Sequence, residues 1–222
     1  MNECSLCKEL KSGDSRQFPE IKKYFEISRI FAYNDELCIF PTVGCFIRGY
    51  ILLSTVEHYL SLYNCPDEIV NGIDKAVHTI KRAFEEKLQS RTVFFEHGTV
   101  NDCGLSSASV SHSHMHFLPI NEPIWESVNS KYGFSYHKVD ALTDLKRIIS
   151  DNGITSYLLF GDYDGAIYLI DCTSKQYPSQ FFRKVMYDHY FGDSPNNEWD
   201  WKLFPFYDLM ADTVAALDGI KI

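Results

Sequence analysis

The sequence predicts an α+β fold built on a mainly antiparallel sheet, and three observations carry that expectation. The first is the order of the apolar runs over the first half of the chain: strand, strand, strand, helix, strand, strand. The second is the recurrence of Ile69, Ile73, Val77, Ile80 and Phe84 at spacings of three and four, the stripe of an amphipathic helix. The third is Gly161-Asp162-Tyr163-Asp164-Gly165, a turn flanked by two short apolar runs that reads as a β-hairpin.

Taken in order, strands are expected over residues 29–33, 36–40 after the Asn34-Asp35 turn, and 50–55 after Gly49. The helix starts between Asn64 and Asp67, with Asn64 as its cap and Pro66 in the first turn, and ends near Gln89. Strands over 92–96 and 112–119 follow, separated by a loop rich in Gly and Ser. Beyond Asn121 the pattern changes. Residues 122–150 are mixed, with a helix over 141–149; the hairpin spans 157–160 and 166–171, and helices cover 179–190 and 206–217. No linker intervenes, so the chain reads as a first domain over 1–121 and a C-terminal extension over 122–222, a hairpin and helices packed on it.

Composition narrows the function. A chain of 222 residues with 45% hydrophobic and 15% aromatic residues can fill a core. A net charge of −9 argues against binding a nucleic acid polymer, which wants a basic surface, although backbone N–H groups suffice for one small phosphate. No stretch approaches the about 20 apolar residues that span a bilayer, and no signal-peptide pattern opens the chain, so no membrane association and a cytoplasmic location are expected. Seven cysteines, an odd number in a chain without an export signal, speak against a disulfide framework. Metal binding is then the better use for the tight Cys4-x-x-Cys7 pair.

The chemistry concentrates in His112-Ser113-His114-Met115-His116-Phe117-Leu118-Pro119. Alternation along a strand places the three histidines on one face and Met115 and Phe117 on the other, towards a core. Three adjacent imidazoles pack poorly and make sense as a polar site. Gly104-Leu105-Ser106-Ser107-Ala108-Ser109 runs into this strand and offers backbone N–H groups and hydroxyls, Ser107 and Ser109 among them, where an anion would sit.

This segment resembles the motif of the histidine triad (HIT) superfamily, His-x-His-x-His with apolar residues after it. The resemblance runs from about Cys4 to Pro119: Gly49 to His58 is similar to the family's Gly-x-x-Leu-x-x-x-x-x-His segment, and Glu96-His97-Gly98 to its strand-end motif. It implies a HIT-like sheet and a hydrolase acting on the phosphate linkage of a nucleotide, a dinucleoside polyphosphate or a nucleoside phosphoramidate or ester. His114 would attack the α-phosphorus to form a covalent nucleotidyl-imidazole, and His116 would assist proton transfer to the leaving group. Ser109 matches a serine that contacts phosphate, and His97 is a candidate for the pocket. The nucleotide-sugar transferases of the family replace the third histidine by glutamine, so His116 favours hydrolysis. Nucleotidyl transfer or phosphorolysis is the nearest alternative; a non-catalytic nucleotide-binding protein is a reading of a second class, and a catalytic metal site on the three histidines one of a third. Some members complete a Cys-x-x-Cys pair with two histidines, which implies one structural zinc per chain on Cys4, Cys7, His58 and His112. The family often dimerises, so a homodimer is compatible with the resemblance, though no pattern here requires one. Thr42 stands where many members grip the ribose with an acid. The run around Pro178 to Arg183 loosely resembles the extension of Cwf19-like proteins, and Gln180 and Arg183, three apart on the expected helix, would share a face towards substrate.

Overall fold

Burial on both faces of most strands shows that the sheet lies between two packed layers. The structure is a computed structural model and describes residues 4–12, 23–24, 28–101, 112–193 and 195–222. Strands β1 (Ala32–Tyr33), β2 (Leu37–Pro41), β3 (Ile51–Thr55), β4 (Arg91–Thr99), β5 (His114–Ile120), β6 (Tyr136–Val139), β7 (Ser156–Gly161) and β8 (Ile167–Asp171) form one sheet in the order β1-β2-β3-β5-β4-β7-β8-β6. Every pairing is antiparallel. The strands of the C-terminal part thus carry on the sheet begun by the first part, through a ladder that runs from Phe94↔Gly161 to Thr99↔Ser156.

Both faces of the sheet are covered, and so β2 and β3 read as continuous apolar runs. On one face Leu37, Ile39, Ile51, Leu53, Phe94, Met115 and Phe117 pack against α2 (Asp67–Leu88). That helix buries Val70, Ile73, Ala76, Val77, Ile80, Ala83 and Phe84, and each larger side chain among them contributes about 1.5–3 kcal/mol. Asp67 and Glu68 in its first turn and Lys87 in its last complement the helix dipole. On the other face Val93, Phe95, Leu118, Leu158 and Phe160 meet Phe181, Phe182 and Met186 of α5 (Phe181–Phe191) and Met210 of α6 (Tyr207–Leu217). There too, Leu6 of α1 (Ser5–Ser12) packs on Cys38, Phe40 and Leu52. Helices α3 (Trp125–Tyr132) and α4 (Leu145–Asp151) complete the second half. Among the described residues no helix is long and apolar enough to cross a membrane.

Three boundaries differ from the sequence reading, each for a local reason. Asn64 does not cap α2; it closes a 3-10 turn over Leu62–Asn64, its amide donates to the Val100 carbonyl, and Pro66 holds the N-cap position. The proline disfavours helical backbone at Cys65, which is extended at ψ 143°. The first strand shrinks to two residues because Arg29 is consumed by a buried bidentate pair with Glu9 of α1, at 2.7 and 2.8 Å, and by a bond to the Pro41 carbonyl. Strand β5 begins at His114 instead of 112, since the ring of His112 donates to the Thr55 carbonyl and Ser113 N–H to that of Tyr59.

The seam between β4 and β7 is tight. A Cβ at Gly161 would lie 2.2 Å from the Phe94 ring opposite it, so the ring occupies the space that a side chain would need. Beside it the buried Glu96 carboxylate accepts from the Leu62 N–H at 2.8 Å and the Tyr157 hydroxyl at 2.7 Å. Desolvation raises its pKa from 4.5 to about 7, against the lowering effect of those two bonds.

Gly161→Ala is expected to destabilise the fold by about 1–3 kcal/mol, the usual range for overpacking, measured by denaturant unfolding. An unchanged midpoint would show that the seam yields. For Glu96 the sign follows from linkage. Below pH 4.5 both states hold the proton; between 4.5 and about 7 only the unfolded chain loses it, so stability falls across that window and is flat above it. Glu96→Gln does not titrate, so its stability relative to wild type should rise through the same window, by up to about 3 kcal/mol. A difference independent of pH would refute the raised pKa.

Candidate functional site

Alternation along β5 sends His114 and His116 to the face opposite α2, and the register sets their neighbours: Leu52 and Phe95 flank His116, and Ser54 lies across from His114. The two rings lie 5.1 Å apart, centroid to centroid, and His116 stacks on Phe95 at 4.5 Å and 13°. They line a cleft together with His97, Thr42, Leu52 and Phe95 of the sheet region, Ser5 and Leu6 of α1, and Gln180, Phe182, Arg183 and Trp201 of the C-terminal part.

Hydrogen bonds set the protonation pattern. His114 Nδ1 lies 2.6 Å from the His112 carbonyl oxygen, which can only accept. The neutral ring therefore keeps its proton on Nδ1 and its lone pair on Nε2. Burial lowers the His114 pKa, the carbonyl bond partly opposing it, and lowers that of His116 well below 6.5 with help from the charges of His114, Arg183 and His97. His97 falls to about 4, chiefly by desolvation and then by His114. At neutral pH the cleft thus holds uncharged imidazoles. His116 Nδ1 meets the Tyr50 hydroxyl at 2.8 Å.

Of the other cleft residues expected from the sequence, Thr42 is buried and its hydroxyl donates to the Val43 carbonyl. Arg183 is buried, with Nε donating to the Trp199 carbonyl at 2.5 Å and Nη2 to that of Gly44. Gln180 does not share a helix face with it. The helix starts at Phe181, and Gln180 precedes it in left-handed backbone at φ 63°, its amide donating to Asp200. Ser107 and Ser109 lie outside the described residues. Sequence reading passed over Tyr50, Arg29, Phe95 and Trp201. Only Phe95 left a signal, two residues before His97 on the same strand face.

His112 turns away from the cleft to a second group. Its Nδ1 is 3.6 Å from Cys4 Sγ and 3.4 Å from Cys7 Sγ, and His58 Nδ1 is 3.3 Å from Cys7 Sγ. The ligand atoms of Cys4, Cys7, His58 and His112 all lie within 4.8 Å of one another. A tetrahedral zinc with nitrogen and sulfur ligands needs N···S edges of about 3.6 Å. The tautomer also fits: His112 Nε2 donates to the Thr55 carbonyl at 2.8 Å, so Nδ1 offers its lone pair to the group. Desolvation, followed by the charges of His58 and His114, lowers the His112 pKa to about 4 and keeps that lone pair free. The four residues are compatible with a zinc site.

No protein-family model matches the chain and no curated protein matches it. Solved structures do resemble it. A Hit-like protein involved in cell-cycle regulation from Bartonella henselae is 20% identical with a TM-score of 0.42, over 55% of this chain and 79% of that one. A zinc-bound histidine triad family protein from Mycobacterium smegmatis is 22% identical with a TM-score of 0.40, over 54% and 76%. A HIT family protein from Bacillus anthracis is 16% identical with a TM-score of 0.43, over 68% and 96%. Identities this low, with TM-scores below 0.5, carry nothing about activity. In fold, the chain is similar to histidine triad proteins.

Proposed function

We propose that this chain hydrolyses the phosphate linkage of a nucleotide, a dinucleoside polyphosphate or a nucleoside phosphoramidate or ester, through a covalent intermediate on His114. The single observation that carries the reading is the 2.6 Å contact between His114 Nδ1 and the His112 carbonyl. It leaves Nε2 as a fixed, unprotonated nucleophile in a cleft where burial keeps the ring neutral. Nε2 forms a bond to the α-phosphorus as the bond from phosphorus to the leaving atom breaks, the electron pair departing with that atom. Water then attacks the nucleotidyl-imidazole, restores His114 and releases the nucleoside monophosphate. His116 is the group on the leaving-atom side. The phosphate is assigned to the Gly- and Ser-rich segment with Ser107 and Ser109, the sugar to the region of Thr42, and distal substrate groups to His97, Gln180 and Arg183. Transfer to an acceptor other than water uses the same first step.

Cys4, Cys7, His58 and His112 would hold one zinc. Four protein ligands leave no open coordination position, so the metal would tie α1 to the start of β5 and take no part in turnover. Those residues fix the backbone from which the His112 carbonyl orients His114.

His114→Ala should lower turnover of a dinucleoside polyphosphate by a factor on the order of 10⁴ or more with unchanged circular dichroism, because it removes the nucleophile. A mutant within about tenfold of wild type, the effect of one lost hydrogen bond, sinks the mechanism. Rapid-quench intact-mass measurement should show a nucleotidyl adduct on the wild type and none on the mutant, and product identity with added phosphate separates hydrolysis from phosphorolysis. For the metal, elemental analysis should find about one zinc per purified chain. Cys4→Ser should lower zinc content and melting temperature together, since metal binding is coupled to folding. Metal-free protein of unchanged melting temperature would remove the site.

A further inference from the structure

The hydrogen bond between Tyr50 and His116 leaves one question open, namely which of the two holds the shared proton. A phenol can donate to the lone pair on Nδ1, or accept from Nδ1–H. The other neighbour of Tyr50 decides it. Arg183 lies with its Cζ 5.1 Å from the Tyr50 ring centroid, and its positive charge opposes the upward effect of burial on the Tyr50 pKa. A cation beside the phenol makes its O–H a stronger donor and its oxygen a poorer acceptor, which directs the phenolic proton to Nδ1.

We propose that Tyr50, polarised by Arg183 from the C-terminal part, is a positioning residue that holds His116 as the tautomer protonated on Nε2. The cleft then presents two adjacent imidazoles of opposite sense, a lone pair on His114 Nε2 and an N–H on His116 Nε2. The first attacks phosphorus. The second donates a hydrogen bond to the leaving oxygen, which departs with the electron pair of the broken bond; the proton stays on Nε2 throughout. The catalytic consequence rests on the hydrolase reading, whereas the tautomer does not.

Several features of the structure serve this arrangement. Tyr50 is fully buried, and burial raises its pKa, so the hydroxyl keeps the proton that it offers. His116 is neutral at pH 7, so it cannot act as an imidazolium and donates only from whichever nitrogen carries its one proton. Stacking on Phe95 fixes its ring plane. Arg183 is anchored in turn by the carbonyls of Trp199 and Gly44 and by the Phe46 ring at 5.2 Å. Gly44, at φ +75°, leaves the room: a Cβ there would lie 2.2 Å from Arg183 Nη2.

The tautomer is read without substrate, by long-range ¹H–¹⁵N correlation spectra of the whole chain labelled in its histidines. His116 should show a protonated Nε2 and a hydrogen-bonded, unprotonated Nδ1, and Tyr50→Phe should shift Nδ1 to the position of a free lone pair. A protonated Nδ1 in the wild type overturns the proposal. Kinetics give the second readout. Losing an oriented hydrogen bond to a charged leaving atom should slow Tyr50→Phe about ten- to a hundredfold on a dinucleoside polyphosphate. A nitrophenyl ester of the nucleotide, whose leaving group needs no such help, should react at nearly the wild-type rate. Equal losses on both substrates would reduce Tyr50 to a packing residue. Should the wild type turn over neither substrate, the hydrolase reading fails while the spectra still decide the tautomer.

Discussion

His112 is bonded at three atoms to three parts of the molecule, and the site depends on that joint. Its Nδ1 faces Cys4 and Cys7, its Nε2 donates to the carbonyl at the end of β3, and its own carbonyl holds His114. The N-terminal helix, the central sheet and the His114 ring are therefore referenced to one residue. A carbonyl can fix a tautomer only if it is itself immobile. The cysteine–histidine group supplies that immobility from outside the cleft. The Glu9–Arg29 pair adds a second tie from α1 to the sheet, since Arg29 also grips the Pro41 carbonyl and stacks over Phe40 at 4.7 Å.

The two faces of β5 divide the labour. Met115 and Phe117 anchor the strand in the core under α2, while His114 and His116 open to the cleft on the other side. Apolar walls of Leu52, Phe95 and Phe182 around them lower the effective dielectric, which keeps the imidazoles neutral and strengthens each remaining hydrogen bond. The Nδ1 atoms of His114 and His116 each face a defined partner, the His112 carbonyl and the Tyr50 hydroxyl.

Much of this was legible in the sequence because it is local. Alternation through His112, His114 and His116 predicted a shared polar face, although His112 then turns to the metal-type group. The stripe on α2 and the hairpin around 162–165 needed only short-range periodicity and turn chemistry. Pairing of β4 with β7, some sixty residues apart, has no local signature, so the hairpin was expected to pack on the first part without the strand that it joins being named. Tyr50 escaped notice for a similar reason: its partner is 66 residues away, and a tyrosine opening a strand reads as core. Gln180 and Arg183 misled because the helix was expected two residues too early, from 179, across a left-handed Gln180 that no propensity marks.

The continuous ladder also governs how the chain can be cut. Within β4, Arg91–Phe95 pair with β5 on one edge and Phe94–Thr99 with β7 on the other. A fragment ending near residue 121 would leave the second edge as a row of bare N–H and C=O groups beside Phe94 and Phe95. Such an unpaired edge recruits other strands and seeds aggregation. The C-terminal half is in this sense a built-in guard for the sheet, and a shortened triad fragment would need a charge or a proline on β4 to stay in solution.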